Sequence, residues 1–287
     1  MRTGSTNTAT VVAGDGHTIG YEVREPARPG DPPTTVVFLP ALGVPLSYYT
    51  RLFDVWAGGG RRVVGVEHRG QPLSPIAGIR RGRFGYREMV RHDLPAVFAV
   101  PQVREAPRVV LVGHSMGGAL ALLSTAAGLV APHAVVTIAT GTSWCAAEFG
   151  ALRRAQRHVG VRVVRAITGT LGYWPGHRFG FGGRQPSTVM RDWAYEASHG
   201  RFRLHGDPFD YERALSEMTT PRLLLGIDGD HLINPRAVAL LARRAARAER
   251  RQVRVPGVPV DHFSWARRAA ADVAAPIDHW LDRLQPS

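Results

Sequence analysis

The chain has 287 residues, of which 44% are hydrophobic, and a formal net charge of +13 at pH 7. This length and apolar content can support a buried core in one large domain or two small ones. Cys145 is the single cysteine, which excludes an internal disulfide and a multi-cysteine metal site. All 36 basic side chains are arginine, and no helix-turn-helix, zinc-finger or aromatic-basic RNA pattern accompanies them. We therefore expect no nucleic-acid partner.

Neither a membrane helix nor a signal peptide is expected from the sequence. The longest apolar stretch, residues 119–130, contains Ser124 and Thr125 and is shorter than the roughly 18 residues that span a bilayer. Residues 1–12 lack the apolar segment and cleavage site of a signal peptide. We expect a cytoplasmic protein without membrane contact. The sequence does not predict an oligomeric state.

Apolar, β-rich runs alternate with helical patterns along most of the chain. Two runs that flank the turn at residues 14–16 predict an opening hairpin. Beyond it, unbroken apolar runs predict strands covered on both faces, with helices between them. This order predicts an α/β fold with a mostly parallel sheet. The predicted strands are 35–40, 62–68, 108–113, 134–141, 222–228 and one near 251–258; the predicted helices are 47–57, 84–99, 115–128, 235–250 and 265–284.

The densest run of positive charge is at residues 243–254. It continues an apolar helical pattern, so it predicts an amphipathic surface helix with a solvated arginine face. The basic surface as a whole is compatible with an acidic carrier protein or an anionic substrate as a partner.

Residues 142–211 separate two predicted strands by far more than an ordinary crossover, and long insertions of this kind usually carry function. The insertion holds 11 of the 23 aromatic residues of the chain. It predicts a helical subdomain that caps an apolar pocket at the carboxyl edge of the sheet, with residues 1–141 and 212–287 as the core. Aromatic residues expected to contact substrate are Trp144, Tyr173, Trp174 and Trp193.

The stretch RVVLVGHSMGGALALL, residues 108–123, contains a Gly-x-Ser-x-Gly pattern around Ser115. By composition alone such a pattern arises in roughly one chain of this kind in seven or eight. Its context is more specific, because Ser115 directly follows a predicted strand and directly precedes a predicted helix. That is the position of a nucleophile elbow, in which small residues two before and two after the serine permit a tight turn. The alternative is a serine that only caps the helix.

Taken together, several loops resemble those of the α/β-hydrolase superfamily. The resemblance covers nearly the whole chain, and its opening loop and cap stretch look like those of a poorly characterised bacterial branch. It implies an α/β-hydrolase fold and a triad in the chain order serine, acid, histidine. The residues that carry it are 38–49 (FLPALGVPLSYY), 113–118 (GHSMGG), 172–186, 228–235 (DGDHLINP) and 260–265 (VDHFSW).

A serine hydroxyl needs a base, and three of the 12 histidines follow the strand at 222–228. His231 lies next to the acid loop, and His279 lies on the predicted final helix. His262 is in a loop after the last predicted strand, where similar enzymes carry the base. The alternative for His262 is a surface or capping histidine.

Two carboxylates are candidates for the triad acid, Asp228 and Asp230. Similar enzymes place the acid just beyond the strand, about four residues before a proline or a helix start. Asp230 fits this position better, because Asp228 still adjoins the strand. Asp228 remains open as the acid or as a structural carboxylate.

The resemblance places two backbone N–H groups in an oxyanion hole, those of Met116 and Leu42. Most relatives have His-Gly where this chain has Pro40-Ala41, which puts the geometry at Leu42 in question. A second departure is EHRGQPLS, residues 67–74, where relatives commonly have Asp-x-Arg-Gly-His-Gly-x-Ser. Arg69 and Gly70 are retained there, and we expect them to brace the fold near the site.

These features predict a serine hydrolase that acts on an ester or thioester through an acyl-enzyme. No metal or organic cofactor is expected. The expected partner is a small acyl substrate, either free or attached to a carrier protein. Two alternatives stay open: an acyltransferase or cyclising thioesterase with the same triad, and a ligand-binding protein on the same fold without turnover.

Overall fold

The computed structural model describes residues 5–80 and 82–284. Within these residues most strands join one large sheet, and two short strands form a separate antiparallel ribbon. The strands are β1 (Thr6–Val12), β2 (Thr18–Arg24), β3 (Thr34–Leu39), β4 (Arg62–Val66), β5 (Arg108–His114), β6 (Ala134–Ile138), β7 (Tyr173–Pro175), β8 (Arg184–Pro186), β9 (Arg222–Ile227) and β10 (Glu249–Val253).

Helices connect the strands of the large sheet. Short 3-10 turns occur at Leu46–Tyr49, Cys145–Ala147 and Gly176–Arg178, and a π turn occurs at Met89–Asp93. The α-helices are α1 (Thr50–Gly58), α2 (Tyr86–Glu88), α3 (Leu94–Phe98), α4 (Pro101–Arg104), α5 (Met116–Ala126), α6 (Ala151–Leu171), α7 (Ser187–His199), α8 (Tyr211–Glu217), α9 (Pro235–Arg244), α10 (Trp265–Arg268) and α11 (Ala270–Arg283).

The large sheet has eight strands in the order β1-β2-β4-β3-β5-β6-β9-β10. The opening hairpin pairs antiparallel, and β2 also pairs antiparallel with β4. From β4 to β10 every pair is parallel. These pairs confirm the predicted mostly parallel sheet, in which buried apolar strands are joined by helical crossovers. The fold is that of an α/β-hydrolase.

Two apolar layers cover the sheet. One face packs against α5, α8, α9 and the helical turns of residues 86–104. The opposite face packs against α1, α10 and α11, with the indole rings of Trp56, Trp265 and Trp280 almost fully buried. Every residue of β3 and of β9 is buried, as expected for strands between two helical layers. The carboxyl ends of the central strands are left uncovered by both layers, and the site forms there.

The structure corrects the predicted helix at 235–250 and the amphipathic helix over the basic run 243–254. Helix α9 ends at Arg244, and residues 249–253 form strand β10 beside β9. The side chains of β10 are mostly exposed, since it is the edge strand of the sheet. The pairing with β9 is a long-range contact that outweighs the local helical pattern, as tertiary context often does.

The residues 142–211 contain two long helices, α6 and α7, with the β7–β8 ribbon between them. Helices α6 and α7 pack against each other, and a small apolar cluster around Cys145, Val161 and Ala197 lies between them. Helix α8 starts at Tyr211 and packs on α5 of the core. Among the described residues, no helix is both long and apolar enough to cross a bilayer.

Candidate active site

Ser115 lies at the turn between β5 and α5, and its backbone has φ 54° and ψ −116°. This positive φ is unfavourable for a residue with a side chain, so the surroundings must hold it. The Ser115 N–H donates to the carbonyl of Ile138 at 2.9 Å, which fixes the turn to β6. A methyl group on Gly113 would lie 2.3 Å from the Gly117 carbonyl carbon, and one on Gly117 would lie 2.4 Å from the Leu39 carbonyl oxygen. Only glycine fits at these two positions.

Ser115, His262 and Asp230 are joined in one hydrogen-bonded chain. Nε2 of His262 is 3.0 Å from Oγ of Ser115, and its Nδ1 is 2.7 Å from Oδ2 of Asp230. Since a carboxylate oxygen can only accept, Nδ1 carries the proton and Nε2 offers a lone pair to the serine hydroxyl. Asp230 is buried, and its Oδ1 accepts N–H groups from Leu232 and Ile233 at 2.8 and 2.9 Å. These two backbone N–H groups of the loop after β9 hold the Asp230 carboxylate in place, independently of its contact with His262.

The other acid and histidine candidates lie elsewhere. The Asp228 side chain is 54% exposed, and its Oδ2 is 3.7 Å from Nε of Arg254. His231 is exposed in the acid loop, and His279 is exposed on α11. None of these three side chains hydrogen-bonds to Ser115 or His262 in the part of the chain that the structure describes.

Leu42 and Met116 line the same cavity as Ser115 and His262. Met116 is the first residue of α5, so its N–H points out of the helix at the positive end of the helix dipole. Among the hydrogen bonds of the described residues, none uses the N–H of Leu42 or of Met116. By contrast, the Ala41 N–H donates to Oη of Tyr49 at 3.1 Å. Among the described residues, the N–H groups of Leu42 and Met116 thus have no protein acceptor.

Side chains that the sequence analysis did not single out hold the Pro40-Ala41-Leu42 loop. Buried His68 donates from Nε2 to the Pro40 carbonyl at 2.9 Å. The carboxylate of Glu67 accepts the N–H of Leu46 at 3.1 Å, farther along the same loop. Burial raises the pKa of Glu67 to about 7. His68 and Glu67 belong to the EHRG stretch that departs from the usual pattern, and their contacts span more than twenty residues, so local sequence signals could not reveal them.

Arg69, from the same stretch, ties together segments beside the site. Its guanidinium forms ion pairs with Asp93 in the π turn and with Asp15 in the opening hairpin turn. The distance from Nε to Oδ2 of Asp93 is 2.9 Å. Gly70 follows with φ 83°, a conformation that favours glycine. Arg69 thus braces the first hairpin against the helical turns before β5.

The cavity above Ser115 is lined mainly by apolar side chains from both the core and the residues 142–211. Trp193 lines it, and the ring of Phe181 lies 5.2 Å from the Trp193 ring. Two charged side chains, Arg157 and Glu196, also reach the lining. Neither residue could be identified from the sequence, because a charged residue on a surface helix carries no local signal of the cavity that it lines.

The structure does not bring the other three predicted aromatic contacts to this lining. Trp174 is buried, donates from Nε1 to the Phe181 carbonyl at 2.8 Å and stacks on Phe179. The Tyr173 ring lies 5.6 Å from the guanidinium carbons of Arg80 and Arg184. Half-buried Trp144 packs against Gly200 at the end of α7. These rings stabilise the packing of residues 142–211 instead.

A model of the alpha/beta hydrolase family matches residues 36–275 of the chain. This match extends from β3, before the oxyanion loop, into α11, and so includes Ser115, Asp230 and His262. No curated protein matches the chain significantly.

Solved structures with the same fold include proteins of several kinds. Alpha/beta hydrolase domain-containing protein 10 from mouse aligns with a TM-score of 0.64 at 15% identity, covering 97% of this chain and 100% of that one. The esterase domain of a Rhodothermus marinus protein aligns with a TM-score of 0.60 at 17% identity, covering 97% and 98%. The thioesterase domain from the curacin biosynthetic pathway aligns with a TM-score of 0.60 at 16% identity, covering 95% and 99%. From the family match and this shared fold, the chain belongs to the alpha/beta hydrolase family.

Proposed function

We propose that this alpha/beta hydrolase is a serine hydrolase that cleaves an ester or thioester through an acyl-enzyme. The observation that carries the proposal is the continuous hydrogen-bonded chain from Asp230 through His262 to Ser115. It ends on a serine held at positive φ, at the start of a helix and in the wall of a cavity. Esterase and thioesterase domains among the solved structures with this fold support the same reaction class.

In the acylation step, Oγ of Ser115 attacks the substrate carbonyl carbon while Nε2 of His262 takes the hydroxyl proton. The carbonyl oxygen becomes an oxyanion, which accepts hydrogen bonds from the N–H groups of Leu42 and Met116. Asp230 holds the imidazole in the tautomer that can accept the proton and stabilises the imidazolium that results. His262 then passes the proton to the departing alkoxide or thiolate, and the serine ester remains.

In the deacylation step, a water molecule takes the place of the leaving group. His262 removes a proton from that water as its oxygen attacks the acyl carbon, and the same two N–H groups stabilise the second oxyanion. The proton returns to Oγ of Ser115 when the bond to the acyl group breaks. Apart from the substrate and this water molecule, each step uses side chains and backbone N–H groups of the chain.

Residues 142–211 form, in this proposal, a cap over a core made of residues 1–141 and 212–287. Phe181, Trp193 and Phe202 of the proposed cap face the same cavity as Leu42 and Ile233 of the core. An apolar lining of this kind favours an acyl or alcohol group with hydrocarbon or aromatic character. The substrate is a small acyl compound, either free or attached to a carrier protein.

A fluorophosphonate probe tests the proposal, because it reacts with an activated serine nucleophile. We expect the wild-type protein to be labelled at Ser115 and the Ser115→Ala and His262→Ala variants to be unlabelled. Ser143→Ala is the matched serine control, since Ser143 lines the same cavity without a histidine partner. His231→Ala is the matched histidine control, because His231 is exposed. A folded wild-type protein that stays unlabelled, or labelling that survives Ser115→Ala, would contradict the proposal.

A further inference from the structure

Arg157 extends from α6 into the lining of the cavity that also contains Ser115 and His262. About a quarter of its side chain, 24%, is exposed, so a ligand in the cavity can reach it. Its guanidinium carbon lies 5.9 Å from the centre of the Trp193 ring, which holds the group against the apolar wall. A fixed cation therefore faces a pocket whose other lining residues are mostly apolar.

The hydrogen-bonding capacity of this guanidinium is unused within the described part of the chain. Its Nε is buried and has no partner there. Its ion pair among the described residues is with Glu148, whose Oε1 lies 4.0 Å from NH1, too far for a hydrogen bond. The five N–H donors of this planar fork, in the lining of the cavity that also contains Ser115, thus have no hydrogen-bond acceptor among the described residues.

The other charged residue of the lining, Glu196, already has hydrogen-bond partners within the protein. Its Oε2 accepts the Ser143 N–H at 2.7 Å. Its Oε1 accepts from the Thr142 hydroxyl and from Arg244, which lies 3.2 Å away. Since Glu196 forms no ion pair with Arg157, it leaves the Arg157 fork free to bind a ligand.

We infer that Arg157 binds a carboxylate of the substrate, at a distance from the carbonyl that Ser115 attacks. The substrate class is then an ester or thioester with a second, ionised carboxyl group, such as a monoester of a dicarboxylic acid. A planar carboxylate matches the guanidinium fork with two parallel hydrogen bonds. A single guanidinium in a mostly apolar wall balances one negative charge, which suits a carboxylate better than a phosphate dianion. As a statement about substrate, the inference rests on the proposed function.

Kinetics with paired esters provide the first test. One pair is the 4-nitrophenyl monoester of adipic acid and the same ester with a terminal carboxamide, which is neutral and of equal size. A second pair, 3-acetoxybenzoate and 3-acetoxybenzamide, places the carboxylate on the leaving group. The measured quantity is the ratio of kcat/KM for the carboxylate ester to kcat/KM for the amide ester, in which any general loss of activity cancels.

We expect the wild-type protein to prefer the carboxylate ester in at least one pair. Arg157→Gln should lower that ratio about ten- to a hundredfold, the range of a charge-assisted pair of hydrogen bonds. Arg157→Lys, which keeps the charge but loses the fork, should lower the ratio severalfold. This variant replaces Arg157→Gln in the test if Arg157→Gln does not fold. Arg153→Gln is the matched control, because Arg153 is exposed on the same helix, and it should leave the ratio unchanged. A ratio that is the same in wild type and both Arg157 variants, for both pairs, overturns the inference.

A binding measurement gives an answer that does not depend on turnover. In the Ser115→Ala background, calorimetry compares monomethyl adipate with the corresponding methyl ester amide, with and without Arg157→Gln. Tighter binding of the carboxylate that disappears with Arg157→Gln supports the inference, even if the wild-type protein hydrolyses no ester. In that case only the proposed function has failed. Equal affinity for the two ligands, including no detectable binding of either at millimolar concentration, overturns the inference even if ester hydrolysis is observed.

Discussion

Tyr49 and His114 share a buried hydrogen bond of 2.7 Å, and His114 is the residue directly before the proposed nucleophile Ser115. Oη of Tyr49 accepts the Ala41 N–H, and its own proton can be donated to Nδ1 of His114. Burial, together with the nearby His262, holds the pKa of His114 well below its usual range, so its imidazole is neutral and can accept this proton. The residue before Ser115 is therefore connected through one hydroxyl to the loop that carries the Leu42 amide.

Tyr49→Phe tests this connection. The change leaves the buried Ala41 N–H and the His114 Nδ1 without partners, which frees the loop that positions the Leu42 amide. We expect kcat for an activated ester to fall about tenfold while KM changes little, because the oxyanion forms only in the transition state. Tyr48→Phe is the matched control, since the neighbouring Tyr48 ring packs under the Arg267 guanidinium at 4.0 Å. An equal fall in kcat for both variants would show that the hydroxyl of Tyr49 has no special role.

The choice between the two acid candidates is open to a direct comparison. Asp230→Asn removes the charge and the correct partner of the His262 Nδ1 proton, so kcat should fall by a factor on the order of ten thousand. Asp228→Asn changes an exposed side chain and should leave kcat within about twofold. Both rates can be measured with the same 4-nitrophenyl ester. Loss of activity in Asp228→Asn but not in Asp230→Asn would reverse the assignment.

Replacing two different glycines by alanine should change the stability in opposite directions. Gly113→Ala would place a methyl carbon 2.3 Å from the Gly117 backbone, so the elbow must shift, and we expect the free energy of unfolding to fall by about 3 kcal/mol or more. Gly160→Ala on α6 meets no atom within 4 Å and should raise it by about 0.5 to 1 kcal/mol. Urea unfolding followed by circular dichroism measures both changes. A Gly113→Ala variant as stable as the wild type would mean that the elbow is not close-packed.

Acid should destabilise the protein partly through His68. Burial lowers the pKa of His68 from 6.5 to about 4, although the hydrogen bond to the Pro40 carbonyl opposes the shift. The unfolded chain therefore takes up the proton first, and stability contributed by neutral His68 is lost as the pH falls from 6.5 towards 4.

The corresponding measurement compares wild type with His68→Gln, which has no titrating group at this position. Between pH 8 and pH 5 the wild type should lose about 2 kcal/mol more of its free energy of unfolding than the variant. Because all other titrating groups are common to both proteins, the difference isolates His68. An equal loss of the free energy of unfolding in the two proteins would show that the folded state does not hold His68 uncharged by burial.

Much of the fold could be predicted because its strands are signalled locally. Buried parallel strands need continuous apolar runs, and five such runs lie within one to three residues of β3, β4, β5, β6 and β9. The basic run at 243–254 is the exception: the predicted helix ends at Arg244, and the strand predicted near 251–258 lies at 249–253 on the sheet edge. An edge strand does not need apolar side chains, and its pairing with β9 is a long-range contact that no local pattern reports.

The sequence by itself determined the central strands of the sheet, the position of Ser115 between a strand and a helix, and the short set of acids and histidines that could accompany it. These depend on local periodicity, on turn chemistry and on chain order. The tertiary structure alone decided that Asp230 and His262 meet Ser115, that His68 and Tyr49 hold the loop at Leu42, and that Arg157 faces the cavity. The contacts of Ser115, His262, Asp230 and His68 join residues more than twenty positions apart, which the sheet brings together at the ends of its strands, whereas Arg157 reaches the cavity from α6.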